Sequence, residues 1–211
     1  MPIPTKLSYV VMKLWLTAII VLACCCRLEA GDVGGNGMSV KLAAETKGKK
    51  PMTLEITSTA FMQGQPIPKK YTGEGMDVSP PLSWSNVPEN AKELVLICDD
   101  PDAPTAEPWV HWVLYKIPAK AKGLPEGIPR QARLKEPPGA LQGKNSWPEG
   151  DAIGYQGPMP PRGHGVHHYY FKLYAIDSAL DIEPSLPKNT IMKNIRDHIL
   201  AEGVLMGTYE R

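Results

Sequence analysis

The residues best suited to bind a ligand lie where a Gly- and Pro-rich stretch, 154–165, runs into a histidine- and tyrosine-rich one, 166–176. The first stretch predicts a loop with tight turns, whose backbone can approach a ligand closely. The second is aromatic and aliphatic enough to predict a strand. Because side chains alternate along a strand, His167 and Tyr169 should share one face, and His168 should point the other way. An imidazole and a phenol beside a rigid loop could supply the few placed donors that a small polar ligand requires.

Acidic residues follow an apolar run earlier in the chain. Residues 94–98 predict a short buried strand that leads into a turn containing Asp100 and Asp102. Residues 111–117 predict the next strand, which begins with His111. Asp100 could orient a histidine or contact an ammonium group. Aspartates in such a turn also bond to their own backbone, the interpretation we favour for Asp102.

Anion binding is the chemistry that these residue types support best. Gly157 and the other glycines of the loop let backbone N–H groups approach an oxyanion. Histidines donate hydrogen bonds and gain charge near neutral pH, and Tyr169 adds a neutral hydroxyl. If His111 and His167 donate hydrogen bonds as protonated imidazoles, anion binding should weaken as the pH rises through about 6.5, where a histidine loses its charge.

Two other kinds of site fit the sequence less well. Two histidines and two aspartates could ligate zinc or a harder cation, but His164, His167 and His168 have neither helical spacing nor a known metal signature. Hydrolysis would require an activated nucleophile, and Ser146 and Thr105 lack the context of one. We expect His164 and His168 to face solvent or to pack. We therefore predict no metal, no cofactor and no catalytic residue.

Three motifs occur in a fixed order along the chain. They are Asp-Pro-Asp-Ala-Pro at 100–104, His-Trp at 111–112 and Gly-Pro-x-Pro-Pro-x-Gly-His-Gly-x-His-x-Tyr at 157–169. Together they resemble the phosphatidylethanolamine-binding protein family, and within it the bacterial and archaeal Raf kinase inhibitor-like branch. The resemblance covers roughly residues 52–211. It implies a mainly β protein, an antiparallel Greek-key fold of two sheets with small peripheral helices.

The resemblance also implies a site and a function. The family's small pocket accepts phosphate-like groups, including phospholipid headgroups, without catalysing a reaction. The matching residues here are Asp100, His111, Gly157, Pro158, His167 and Tyr169. The alternative function is inhibition of a protein partner, a protease or a kinase, and a third is hydrolysis. The sequence leaves open whether the protein forms a homodimer. His168 stands where the family often has arginine, which affects the rim of the pocket and not its floor.

The remaining elements are predicted from periodicity and turn residues. Alternation over 52–57 predicts a first strand, and 67–72 and 82–84 predict short extended pieces. Isoleucines four residues apart, with Thr190 as a cap and Gly203 as the end, predict one helix over 190–203. A last strand is predicted over 204–209. Many short strands and a single late helix indicate a mainly β domain.

The composition narrows the range of partners. The net charge is +1, from 23 basic and 22 acidic residues, and no basic tract is interleaved with aromatics. We therefore predict no nucleic-acid partner. Three of the four cysteines lie within the first 30 residues, which leaves Cys98 alone in the folded part. It should be a buried, unpaired thiol.

The first 51 residues are predicted to form a leader followed by a linker. Residues 1–30 contain basic residues followed by a short apolar run, the pattern of a signal peptide. The run ends at Cys24 in a context similar to a bacterial lipobox, which predicts lipidation there, with ordinary cleavage after Ala30 as the alternative. Residues 31–51 read as a flexible linker. We expect an exported protein, periplasmic or anchored to a membrane only through an N-terminal lipid.

Overall fold

The strands and helices come from a computed structural model that describes residues 52–148 and 152–211. Nine strands lie in these ranges: β1 (Met52–Thr53), β2 (Glu55–Thr57), β3 (Leu82–Ser85), β4 (Glu93–Asp100), β5 (Trp109–Pro118), β6 (Gly123–Leu124), β7 (Leu141–Gln142), β8 (His167–Ile176) and β9 (Ile199–Tyr209). The same ranges hold a 3-10 helix, Lys69–Tyr71, and an α-helix, α1 (Lys188–Ile195). The predicted leader, linker and Cys24 lie outside the described residues. No helix in the described ranges is long and apolar enough to cross a membrane.

The strands form two sheets, which confirms the prediction of a mainly β, two-sheet fold. The larger sheet has the order β1-β9-β8-β4-β5-β7, and the smaller has the order β2-β3-β6. All paired strands are antiparallel except β1 and β9, which run parallel. The larger sheet is therefore mixed at one edge and not wholly antiparallel.

The two faces of the larger sheet bury different layers. One face, with Leu96 and Phe171, belongs to the same core cluster as Trp84 of the smaller sheet. The other face, with Ile97, packs in a cluster with Ile191 of α1. Because β4 is central and covered on both faces, its apolar run is continuous and does not alternate. Cys98 in that run is buried and free of any disulfide, as predicted.

The predicted helix over 190–203 is wrong at both ends. The helix begins at Lys188 after Pro187 and ends at Ile195, so Thr190 lies inside it. Ile199 fits the helical spacing, but it starts β9 and pairs with Ile176 on β8. Gly203 is likewise a strand residue, at a point where a Cβ atom would lie 2.5 Å from the Leu54 carbonyl oxygen.

Three further expectations are corrected. The strand predicted over 52–57 is divided at Leu54, whose N–H bonds to Glu202 while β1 joins one sheet and β2 the other. The piece over 67–72 contains the 3-10 helix, because Tyr71 and Thr72 donate to carbonyls three residues back. Finally, β4 continues through Asp100 instead of ending at Cys98. That extension places Asp100 in the sheet, where its neighbours are fixed.

Candidate functional site

A pocket of about 410 Å³ opens where β4, β5 and β8 meet the loops beside them. Its floor carries Asp100, His111, His167 and Tyr169, four of the six residues expected to bind ligand. Each of the four is at most 3% exposed. The walls are apolar and aromatic, and they include Trp109, Trp147, Met159 and three prolines.

His111 reaches the pocket because β5 is irregular at this point. Cys98 pairs with Trp112 and Asp99 pairs with Val110, so His111 is an extra, unpaired residue in the ladder. Such a bulge re-aims a side chain out of strict alternation. The ring Nδ1 lies 2.6 Å from the Gln156 carbonyl oxygen. Because a carbonyl can only accept, Nδ1 carries the proton and Nε2 keeps its lone pair.

His111 is neutral at physiological pH. Burial lowers its pKa from 6.5 to about 4, against the opposing effects of the Gln156 carbonyl and of Asp100. Desolvation disfavours the imidazolium form more than these acceptors favour it. The expectation that His111 donates a charged hydrogen bond is therefore not what this geometry supports: its Nε2 is an acceptor.

His167 lies in the middle of a chain of three side chains. Its Nδ1 lies 2.7 Å from Asp100 Oδ2, and its Nε2 lies 2.8 Å from His164 Nδ1. Asp100 Oδ1 accepts from the backbone N–H of Asp102 at 2.8 Å. Asp100 thus makes the turn bond and also holds the histidine. The chain runs from a buried carboxylate to the exposed ring of His164.

Tyr169 supplies a donor that has no partner. Its hydroxyl is buried, and no described residue lies within hydrogen-bonding geometry of it. Burial, reinforced by Asp100, raises the pKa of Tyr169 far above its usual value, so the hydroxyl keeps its proton. The ring meets His111 edge to face with centroids 5.0 Å apart.

Arg211 is a pocket residue that the sequence did not reveal. It lines the wall, with Nη1 at 3.3 Å from the Pro160 carbonyl oxygen and Nε at 3.3 Å from Glu74 Oε1. Its position follows from β9, because Tyr209 pairs with His167 and the chain then turns toward the pocket. A basic residue just after the last predicted strand was the available signal.

Comparisons with known proteins identify the family of the chain. The family model described as phosphatidylethanolamine-binding protein matches residues 57–210. The chain belongs to the phosphatidylethanolamine-binding protein family. A UPF0098 protein of Pyrococcus horikoshii is 41% identical over 192 residues, which cover 91% of this chain and 88% of that protein.

Two solved structures support the bacterial and archaeal branch of the family. A putative phosphatidylethanolamine-binding protein homologue from Chlamydia trachomatis is 41% identical, with a TM-score of 0.65. E. coli YbcL, described as a new member of the mammalian family, is 31% identical, with a TM-score of 0.68. In both comparisons the match covers 75% of this chain and 98% of the other. The protein is thus a binding protein of the phosphatidylethanolamine-binding protein type.

The expected ligand-binding residues also include Gly157 and Pro158, which the structure does not place among the lining residues. The Gly157 N–H donates to Asp77 Oδ1 at 2.6 Å and is not open to a ligand. A Cβ atom at Gly157 would lie 2.2 Å from the Tyr71 carbonyl oxygen, so the glycine permits close backbone packing. The Pro158 carbonyl accepts from Gly73. Both residues hold the loop against its neighbours and lie outside the pocket lining.

Residues around the site also differ from expectation. Asp102 does not bond to its own turn: its Oδ2 accepts from the backbone N–H of His168 at 2.8 Å and lies 2.7 Å from His168 Nδ1. This pair lies outside the pocket lining, as predicted for His168. His164 is exposed as expected, but its bond to His167 was missed. Within 52–148 and 152–211, no three His, Cys, Asp or Glu side chains are grouped as metal ligands.

Proposed function

We propose that the pocket binds a phosphate-type anion, either free or as the headgroup of a phospholipid. The observation that carries the proposal is the Tyr169 hydroxyl, a buried donor without a partner in the described chain. A buried hydroxyl without a hydrogen bond costs on the order of 1–3 kcal/mol. A phosphate oxygen would satisfy this donor, and the raised pKa of Tyr169 ensures that the donor proton is present.

The charges around the pocket support an anion at one side. Arg211 brings a permanent guanidinium charge to the wall next to His167 and Tyr169. Its Nη1 donates to the Pro160 carbonyl oxygen at 3.3 Å, while its buried Nε lies 3.3 Å from Glu74 Oε1 without hydrogen-bonding geometry. A guanidinium has five N–H donors, so others are left for a ligand oxygen. Arg211 replaces the charge that neutral His111 does not supply.

The state of His111 selects the protonation state of the ligand. With Nδ1–H committed to Gln156, Nε2 can only accept unless the ring takes up a proton, which burial opposes. The monoanion of free phosphate or of a phosphate monoester offers a P–OH donor to Nε2, whereas a dianion, or the phosphodiester of a phospholipid headgroup, offers none. Because the second pKa of a phosphate monoester is about 6, binding of a free monoester should weaken as the pH rises above it. Weaker binding at higher pH is also what the sequence predicts, but here the group that loses the proton is the phosphate of the ligand and not a histidine.

Calorimetry with inorganic phosphate and phosphoethanolamine tests the proposal on the wild type and on Tyr169→Phe. The substitution removes one oxygen atom and keeps the ring packing. Affinity should fall about ten- to a hundredfold if the hydroxyl donates to a charged oxygen. His198→Ala is the matched control, because His198 bonds to Asp177 and does not line the pocket. Equal affinities for the wild type and Tyr169→Phe would refute the proposal.

A further inference from the structure

Two tryptophans form an aromatic corner at the mouth of the pocket. Trp109 opens β5 and Trp147 follows β7, and both line the pocket. Their ring centroids are 5.3 Å apart and their planes meet at 79°. The His111 ring lies against Trp147, with centroids 5.1 Å apart and planes at 69°. Both indoles are half-buried and keep ring surface open to the pocket.

This corner has the character of a cation site. The faces of aromatic rings carry negative potential and attract ammonium groups, most strongly for Trp. In the described ranges, the cation–π contacts involve Tyr71 and Tyr170, so no Lys or Arg occupies the two indoles. Neutral His111 adds no positive charge that would repel a cation.

The sheet separates positive and negative charge across the pocket. Asp100 pairs with Trp109 across β4 and β5, so the carboxylate and the indole lie on the same face of the sheet. Arg211 follows β9, which is separated from β5 by β8 and β4 in the sheet order. Tyr169 lies between them on β8. A ligand with an anionic end toward Arg211 and Tyr169 and a cationic end toward Asp100 and the indoles matches this order.

The same contacts favour a methylated ammonium group over a primary one. A primary ammonium group is strongly hydrated and needs acceptors when it leaves water. Asp100 is already engaged at both oxygens, by the Asp102 N–H and by His167. The other acceptor, His111 Nε2, is taken by the P–OH of the phosphate monoanion in the proposed anion site. A trimethylammonium group has no N–H to satisfy, and its methyl surface suits a wall that includes Pro104 and Met159.

We infer that Trp109 and Trp147 form a subsite for a methylated ammonium group, so that a phosphocholine-type zwitterion is the favoured ligand. The inference rests on the proposed anion site, which would hold the phosphate end. The carboxylate of Asp100 adds long-range attraction without a direct hydrogen bond.

The test compares three soluble probes by calorimetry and by tryptophan fluorescence. Phosphocholine and phosphoethanolamine differ only in three methyl groups, and inorganic phosphate lacks the ammonium end. Wild-type protein should bind phosphocholine about three- to thirtyfold more tightly than phosphoethanolamine, the range for a desolvated cation on aromatic rings. The same ratio should fall toward one in Trp147→Leu and stay partly above one in Trp147→Phe.

The outcomes separate the subsite from the anion site. If inorganic phosphate binds but phosphocholine is no tighter than phosphoethanolamine, the subsite is refuted and the anion site stands. Retention of the full preference in a folded Trp147→Leu also refutes the subsite. If none of the three probes binds, the proposed function itself fails. Competition of phosphocholine by phosphatidylcholine vesicles would support the subsite with a membrane lipid as its source, and phosphocholine binding without such competition would support it with a soluble source.

Discussion

His111 should destabilise the folded protein in mild acid, because it is buried as a neutral ring. Burial lowers its pKa from 6.5 to about 4 in the folded state. As the pH falls below 6.5, the unfolded chain takes up a proton that the folded chain refuses, so the unfolded state gains free energy relative to the folded state. Above pH 6.5 this group contributes no pH dependence, and the loss is complete once the pH has passed below about 4.

The size of the effect follows from the difference between the two pKa values. From 6.5 to about 4, with about 1.4 kcal/mol for each pKa unit, the full loss is about 3 kcal/mol. Relative to pH 7.5, stability should fall by about 1 kcal/mol at pH 5.5 and by about 2–3 kcal/mol at pH 4.5 from this group alone. Carboxylates titrate in the same range, so the effect must be isolated against a variant.

His111→Asn is that variant, since an amide N–H can replace Nδ1–H as the donor to Gln156 without titrating. Urea unfolding of both proteins at pH 7.5, 6.5, 5.5 and 4.5 gives two stability curves. The difference between them should shift by about 2–3 kcal/mol in favour of the variant between pH 7.5 and 4.5. A constant difference across that range would refute the reasoning. So would an imidazole NMR signal, assigned by its absence from the variant, that titrates near pH 6.5.

Three more predictions concern two packed residues and the predicted lipidation of Cys24. Gly157→Ala should destabilise the fold by about 3 kcal/mol, because the new Cβ atom would meet the Tyr71 backbone at 2.2 Å, and an unchanged melting temperature would contradict this. Cys98 should react with a thiol reagent much more slowly in the native than in the denatured protein, because burial raises its pKa and blocks access, and rapid native labelling would show the opposite. Cys24→Ser should release the expressed protein from the membrane fraction, and unchanged partitioning with no lipid mass on the wild type would remove the lipidation prediction.

The parts of the site that lie on one regular strand were predictable from the sequence. Period-two alternation along β8 puts His167 and Tyr169 on the buried face, and the structure agrees. The apolar run of β4 likewise predicts a buried strand. In both segments a local rule decides the outcome, so no knowledge of neighbouring strands is needed.

Other features depend on pairing between distant segments. His111 faces the pocket only because a bulge against β4 shifts its register, and no property of 111–117 by itself requires a bulge. Arg211 and Trp147 come from segments far apart in sequence, and only the assembled sheet brings them to one pocket. Ile199 fits the helical period, yet it lies in a strand because it pairs with Ile176 on β8. Tertiary contacts override local periodicity in each case.

A crystal structure of the protein soaked in phosphate tests the central claim most directly. The account predicts an ordered phosphate in the pocket, with an oxygen about 2.5–3.0 Å from the Tyr169 hydroxyl and within reach of Arg211. Water alone on the Tyr169 hydroxyl, in crystals soaked at a concentration that saturates binding in solution, would contradict it.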